Sequence, residues 1–165
     1  MDFLWSPWRY RYVTGASGAG APQDCAFCRI VDAGVPDRRS LILHRAEHNF
    51  VILNRYPYTS GHMMVVPYQH VSKLAAASQE AASEMIELTR RIECVLERLY
   101  RPDGVNVGMN IGRAAGAGVA DHIHMHALPR WAADSNFATV IAETRVLPEA
   151  LEVTWERAKA EFERP

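Results

Sequence analysis

The sequence predicts an α+β domain built on an antiparallel sheet of about five strands, with a long helix and a C-terminal helix. Strand-like segments outnumber helical ones, the connections between them are short enough to favour antiparallel pairing, and one stretch has clear helical periodicity. The 165 residues suffice for one domain, and 48% hydrophobic with 22% charged residues is typical of a globular protein that needs no disulfides.

The strands are predicted from short apolar runs that turn residues separate. Two runs divided by polar residues form a predicted hairpin, and a third ends at a proline. Two further runs alternate in polarity or carry three histidines, and a weaker one lies near the C-terminus. In chain order these strands are expected within residues 41–43, 50–53, 62–66, 105–111, 121–130 and 138–142.

The long helix is predicted over Ser78–Tyr100. Ser78 is a suitable N-cap, Glu80 lies in the first turn, and residues 102–104 (Pro-Asp-Gly) end the helix. One face carries an apolar stripe at helical spacing, which we expect to pack in the core: Met85, Leu88, Ile92, Val95, Leu96 and Leu99. A polar helix is expected from about residue 148 to residue 163.

The first 22 residues are predicted to form an N-terminal arm and a flexible linker, and residues 23–165 the domain. Residues 3–13 are aromatic and basic, whereas residues 14–22 are mostly glycine and alanine. A net charge of −1 argues against a nucleic-acid partner, and no apolar run has the roughly 20 residues that a membrane span needs. Three cysteines and no signal-peptide pattern lead us to expect a cytoplasmic protein.

Residues 122–130 read His-Ile-His-Met-His-Ala-Leu-Pro-Arg, which places three histidines at alternate positions. On a strand their side chains share one face about 7 Å apart, an unsuitable arrangement for an apolar core. Such a row is either a set of metal ligands or a nucleophilic imidazole with neighbours that orient it and bind an anion.

The loop before this segment favours the nucleophile. Residues 110–118 are rich in glycine and alanine, so that backbone N–H groups near Gly116 and Gly118 are expected to approach a phosphate. Asn110 and Arg113 are the polar side chains available beside it.

A second motif is the Cys-x-x-Cys pair of Cys25 and Cys28. A redox pair is disfavoured because no thioredoxin-like strand and helix surround it. Half of a zinc site is favoured, and it requires two more ligands. The sequence offers five histidines without choosing among them: His44, His48, His62, His70 and His122.

Residues 122–128 resemble the His-φ-His-φ-His-φ-φ motif of the histidine-triad (HIT) superfamily. Residues 53–55, 60–67 and 129–131 also resemble strings of that family, and residues 4–9 and 134–137 resemble its bacterial branch that includes diadenosine tetraphosphate phosphorylases. The resemblance spans roughly residues 4–150 and implies a HIT-like fold, a homodimer with joined sheets, and nucleotidyl hydrolase or transferase activity.

The resemblance also implies roles in catalysis and nucleotide binding. His124 matches the histidine that attacks the α-phosphorus and forms a nucleotidyl-histidine intermediate, and His126 the one that contacts the phosphate oxygens. Asn54 matches the residue that holds the ribose hydroxyls, and Asn110 lies near the family's loop asparagine. Near pH 7 a neutral imidazole is a good nucleophile, so we expect a carbonyl to accept from Nδ1 of His124 and leave Nε2 free.

For the metal, the resemblance selects Cys25, Cys28, His70 and His122. Four protein ligands close the coordination sphere, so the expected zinc is structural.

The implied substrate is a dinucleoside polyphosphate such as diadenosine tetraphosphate, with phosphate or water as the acceptor. The sequence departs from several branches of the family at Gly118 and Val119, where those carry Gln and Ser or Thr. Two alternatives stay open: a nucleoside phosphoramidate hydrolase, which is a sister activity within the fold, and a nucleotide-binding sensor with little activity, which the absent Gln and Ser leave open.

Overall fold

The computed structural model describes residues 24–34, 37–132, 134 and 149–164, and it has the predicted α+β architecture. The predicted arm and linker over residues 1–22, and the weak strand over residues 138–142, lie outside the described residues. No helix among the described residues combines the length and the apolar character needed to cross a membrane.

One antiparallel sheet of five strands forms the centre of the described part. Its spatial order is β1-β2-β3-β5-β4, and the β2 and β3 residues are buried along their whole length because they occupy the middle of the sheet. The strands are β1 Ile42–Arg45, β2 Asn49–Leu53, β3 Met63–Pro67, β4 Gly104–Met109 and β5 Met125–Arg130.

Four helices accompany the sheet in the described part: α1 Ala26–Asp32, α2 Asp37–Ser40, α3 Gln79–Tyr100 and α4 Leu151–Phe162. The predicted N-cap is confirmed, because the Ser78 hydroxyl accepts a hydrogen bond from the Ala81 N–H at 3.1 Å. The predicted apolar stripe of α3 is buried from Met85 to Leu96, so this helix supplies one side of the core.

The two edges of the sheet differ. Along β1, helix α4 satisfies backbone carbonyls: Trp155 Nε1 donates to the Ile42 carbonyl at 2.9 Å and Lys159 Nζ to the Leu43 carbonyl at 3.0 Å. Strand β4 is the other edge, and most of its residues are exposed, including Val107 at 51%. An exposed edge with an apolar side chain is a suitable surface for pairing with another chain.

Gly61 connects the turn after β2 to β3, and we predict that Gly61→Ala strongly destabilises the fold. Its φ of +79° disfavours any residue with a Cβ, and a Cβ there would lie 2.6 Å from the Tyr100 ring. We expect the free energy of unfolding in urea to fall by about 2–4 kcal/mol. Gly104→Ala is the matched control, because a Cβ at Gly104 meets nothing within 4 Å. An equal loss of unfolding free energy in Gly61→Ala and Gly104→Ala would contradict the role given to the backbone angle and the close approach at Gly61.

Candidate active site and metal centre

The histidine segment does not form a strand throughout, which corrects the prediction of a regular alternation. Strand β5 begins at Met125, so His122 and His124 precede the ladder and only His126 lies within it. The Ile123 N–H donates to the Val71 carbonyl at 2.8 Å, which ties this backbone to the segment that follows β3. His122 is therefore free to turn towards a separate cluster, described below.

His124 has the geometry expected of a nucleophilic imidazole. Its Nδ1 lies 2.9 Å from the carbonyl oxygen of His122, and because a carbonyl only accepts, Nδ1 carries the proton. The expected carbonyl contact is thus present, and the lone pair is on Nε2. Burial lowers the pKa of His124, with the bond to the His122 carbonyl opposing, so the ring is neutral at pH 7.

His126 lies beside this ring and faces an open part of the sheet. Its ring centroid is 4.8 Å from that of His124, and on β4 it pairs with Gly108, which has no side chain. Burial, with His124 as the second cause, lowers the pKa of His126 to about 4. Since Gly108 leaves the sheet uncovered at this position, a neutral His126 ring can donate one hydrogen bond to an anion placed there.

The pKa of His126 predicts a dependence of stability on pH. Because the folded-state pKa is lowered from 6.5 to about 4, the unfolded chain binds a proton that the folded chain does not, between these two values. The stabilisation is complete above pH 6.5 and is lost as the pH falls towards 4. We therefore expect His126→Gln to show a smaller drop in unfolding free energy between pH 7 and about pH 5 than the wild type. If the free energy of unfolding in urea falls equally in the wild type and in His126→Gln, the prediction is wrong.

His62 is the site residue that sequence reasoning missed, since it was weighed only as a zinc ligand. It is 1% exposed, and its Nε2 lies 2.9 Å from Nδ1 of His126. The strand register accounts for the contact: His126 pairs with Met64, so a residue two positions before Met64 is a diagonal neighbour on the same face. No local signal identified this role, because the contact depends on how β3 pairs with β5.

Asn54 directly follows β2 and contacts His62. Its Oδ1 accepts from the Tyr56 N–H at 3.0 Å, and its Nδ2 lies 3.4 Å from Nδ1 of His62. Asn110 directly follows β4, whose last residue, Met109, pairs with Met125, the neighbour of His124 in the chain. Both asparagines therefore border the histidines, from two different strand ends.

The glycine loop has a defined conformation. Gly112 and Gly116 have φ values of +83° and +88°, and a 3-10 turn over Arg113–Ala115 separates them. The Gly116 N–H donates to the Arg113 carbonyl at 2.9 Å, which closes this turn. Within the described residues the Gly118 N–H has no acceptor, and the residue is exposed. The Gly118 N–H is thus available to donate a hydrogen bond to an anion.

Two cysteines and two histidines form a compact cluster. Nδ1 of His122 lies 3.3 Å from Sγ of Cys25 and 3.6 Å from Sγ of Cys28, and Nδ1 of His70 lies 3.3 Å from Sγ of Cys28. The four ligand atoms all lie within 4.8 Å of one another. Zinc bond lengths and tetrahedral angles require S···N distances of roughly 3.5 Å, so these residues fit such an ion.

The protonation of His122 also fits a metal ligand. Its Nε2 lies 2.8 Å from the Pro67 carbonyl, which can only accept, so the lone pair is on Nδ1 and faces the cysteines. Without a cation, burial and then the charge of Cys25 raise the pKa of Cys28 to about 11. Without a cation Cys28 is therefore a thiol near pH 7, and a bound cation would convert it to a thiolate. His44, His48 and His62 are not part of it.

Phe27, between the two cysteines, joins the cluster to the candidate nucleophile. Its ring centroid lies 5.4 Å from that of His122 and 5.1 Å from that of His124, and the side chain is 6% exposed. Helix α1, which starts directly after Cys25, thus packs one aromatic ring against both histidines. Both histidines thus share one packing partner on this helix.

Fold and site together define a class of protein with a neutral, oriented imidazole on a five-stranded antiparallel sheet and a separate cysteine–histidine cluster. The family model described as HIT domain matches residues 36–133. The chain belongs to the HIT family, which confirms the resemblance drawn from the histidine motif.

Several relatives are similar over most of the chain. An AP-4-A phosphorylase of Mycobacterium tuberculosis is 35% identical over 99% of this chain and 86% of its own length. An adenosine 5'-monophosphoramidase of Schizosaccharomyces pombe is 29% identical over 64% of this chain and 74% of its own. The crystal structure of a Zn-bound histidine triad family protein from Mycobacterium smegmatis has a TM-score of 0.68, 28% identity, and coverage of 86% and 94% of the two chains.

Proposed function

We propose that the protein is a nucleotidyl transferase or hydrolase that cleaves dinucleoside polyphosphates at the α-phosphate, with His124 as the nucleophile. The observation that carries the proposal is the hydrogen bond from Nδ1 of His124 to the His122 carbonyl, which leaves Nε2 of this largely buried ring unprotonated. A neutral imidazole held in this tautomer attacks phosphorus without first losing a proton.

The chemistry takes two displacements. Nε2 of His124 forms a bond to the α-phosphorus while the bond to the bridging oxygen breaks, and a nucleoside polyphosphate leaves. An oxygen of phosphate or water then attacks the same phosphorus, the N–P bond breaks, and the imidazole is regenerated. His126 and the Gly118 N–H are the proposed donors to the phosphate oxygens in both transition states.

Nucleotide binding is assigned to the residues at the strand ends. Asn54 follows β2 and is proposed to hold the ribose hydroxyls, and Asn110, which follows the β4 residue paired with Met125, is proposed to border the phosphate. The proposed role of Gly116 is conformational. Its φ of +88°, which favours glycine, directs the backbone towards Gly118. The similarity to an AP-4-A phosphorylase over nearly the whole chain supports a dinucleoside polyphosphate as substrate.

The cysteine–histidine cluster is proposed to hold a structural zinc ion. Cys25, Cys28, His70 and His122 supply four ligands, which leaves no open coordination position for substrate. The similarity to a Zn-bound structure supports this choice of metal. The ion would fix the segment that carries the His122 carbonyl, and hence the Nδ1 contact of His124.

We also propose a homodimer through strand β4. Its edge is exposed in the described part, Val107 is half-exposed, and a second copy of β4 would extend the sheet antiparallel. Sedimentation equilibrium measures the mass in solution directly, and a mass equal to one chain of 18.5 kDa would exclude the dimer.

A second candidate function is the hydrolysis of nucleoside phosphoramidates. The sequence similarity to an adenosine 5'-monophosphoramidase favours this function. Gly118 and Val119 favour it too, because they supply no side-chain donor and a small amine leaving group needs fewer contacts. The chemistry at His124 is the same, and only the leaving group differs.

The deciding experiment incubates the protein with diadenosine tetraphosphate, with and without inorganic phosphate, and separates the products by chromatography. ADP and ATP that form only with phosphate identify a phosphorylase, whereas AMP and ATP without phosphate identify a hydrolase. No turnover in either case, together with turnover of adenosine phosphoramidate, would support the second candidate. No turnover and no nucleotidyl adduct with either substrate would overturn both and leave a binding protein.

A further inference from the structure

Two hydrogen-bonding groups, the Tyr58 N–H and the His62 ring, lie in a row behind His126, the histidine proposed to contact the phosphate. The Tyr58 N–H is 3.2 Å from Nδ1 of His62, and Nε2 of His62 is 2.9 Å from Nδ1 of His126. His62 is 1% exposed, so water has little access to either nitrogen. The chemistry at His124 does not use His62, yet its ring is oriented at both ends.

The first contact fixes which nitrogen of His62 carries the proton. A backbone amide only donates, so Nδ1 of His62 is an acceptor. The Asn54 amide agrees: its Oδ1 accepts from the Tyr56 N–H, which turns its NH₂ group towards the same Nδ1 at 3.4 Å. Two donors converge on Nδ1, and a neutral His62 therefore carries its proton on Nε2.

The contact between Nε2 of His62 and Nδ1 of His126 then determines which nitrogen of His126 carries the proton. Because Nε2 of His62 donates, Nδ1 of His126 accepts, and the single proton of a neutral His126 is then on its Nε2. An imidazole with a lone pair at that position would repel a phosphate oxygen, whereas an N–H donates to it. Resting on the proposed function, we propose that His62 is a positioning residue that holds His126 in the Nε2–H tautomer, so that a neutral ring donates to the phosphate.

The Tyr58 ring packs against the hydrogen-bonded pair of His62 and His126. The Tyr58 ring centroid lies 4.7 Å from that of His62 and 6.1 Å from that of His126, nearly parallel to the latter at 28°. A ring in this position limits the access of water that would otherwise compete for the His62–His126 hydrogen bond. The tautomer matters more in this chain than in one with polar side chains at positions 118 and 119, because glycine and valine add no side-chain donor.

The direct test reads the tautomers without any substrate. In the full-length protein labelled with ¹⁵N-histidine, two-bond ¹H–¹⁵N correlations distinguish a ring protonated at Nε2 from one protonated at Nδ1. We expect both His62 and His126 to be protonated at Nε2 near pH 7, with the His62→Gln spectrum used for assignment. A wild-type His126 protonated at Nδ1 overturns the proposal, whatever the protein's activity.

Paired variants then test the role in catalysis. Glutamine at position 62 keeps an N–H donor near the place of Nε2, whereas methionine fills a similar volume without one. We expect His62→Met to lower kcat about 10–100-fold with KM changed less than about threefold, and His62→Gln to restore most of the loss. His48→Met is the control outside the site. Wild-type kcat in His62→Met, or equal losses in the folded Gln and Met variants, would overturn the proposal.

Discussion

Replacing His124 with alanine is expected to abolish turnover while nucleotide binding persists. The variant lacks the only proposed nucleophile, and loss of such a group lowers kcat by about 10³-fold or more. The proposed binding contacts, Asn54 and His126, stay in place, so the dissociation constant for a nucleotide should change by less than about threefold. Steady-state kinetics and calorimetric titration with a nucleoside monophosphate measure the two quantities separately.

The intermediate gives this prediction a second, independent readout. Wild-type protein quenched during turnover should carry one nucleotidyl group, visible by mass spectrometry, and His124→Ala should carry none. His48→Ala is a matched control, since His48 lies outside both clusters of histidines and should form the adduct at the normal rate. An adduct in His124→Ala, or normal turnover in that variant, would assign the nucleophile to another residue.

The sequence predicts the sheet and the long helix well because their signals are local. Apolar runs ended by turn residues define β2 and β3, and the Ser78 cap with its apolar stripe defines α3. Helix α1 was not predicted, since it has seven residues and only Phe27 is buried. Its position follows from contacts with His122 and His124, which are about a hundred residues away in the chain.

The histidine motif shows where local reasoning fails. Strand alternation predicts three imidazoles on one face, but the ladder starts only at Met125 because the Ile123 N–H bonds to Val71. His122 and His124 thereby acquire different surroundings, one among cysteines and the other beside His126. Spacing also could not identify His62 as a partner of His126, because that contact depends on the register between β3 and β5.

Replacing both Cys25 and Cys28 with serine is expected to remove the proposed zinc ion and, through the fold, to impair the proposed activity. Two of the four ligands are lost, and a tightly bound ion contributes about 3–4 kcal/mol to the free energy of unfolding. The released helix α1 no longer holds Phe27 against His122 and His124, so we also expect kcat to fall about tenfold or more. Elemental analysis, thermal unfolding and kinetics give the three readouts.

Cys94→Ser separates the metal effect from the loss of a thiol, because Cys94 is exposed and distant from the cluster in the chain. This control should retain one metal ion per chain, its melting temperature and its kcat. The His122 carbonyl is the link between the two sites: it accepts from Nδ1 of His124, while the His122 ring faces the cysteines. A double variant that loses the metal and stability but keeps its kcat would show that the backbone of residues 122–124 holds the nucleophile without the ion. Wild-type protein, prepared without chelators, that contains no metal would exclude the metal centre.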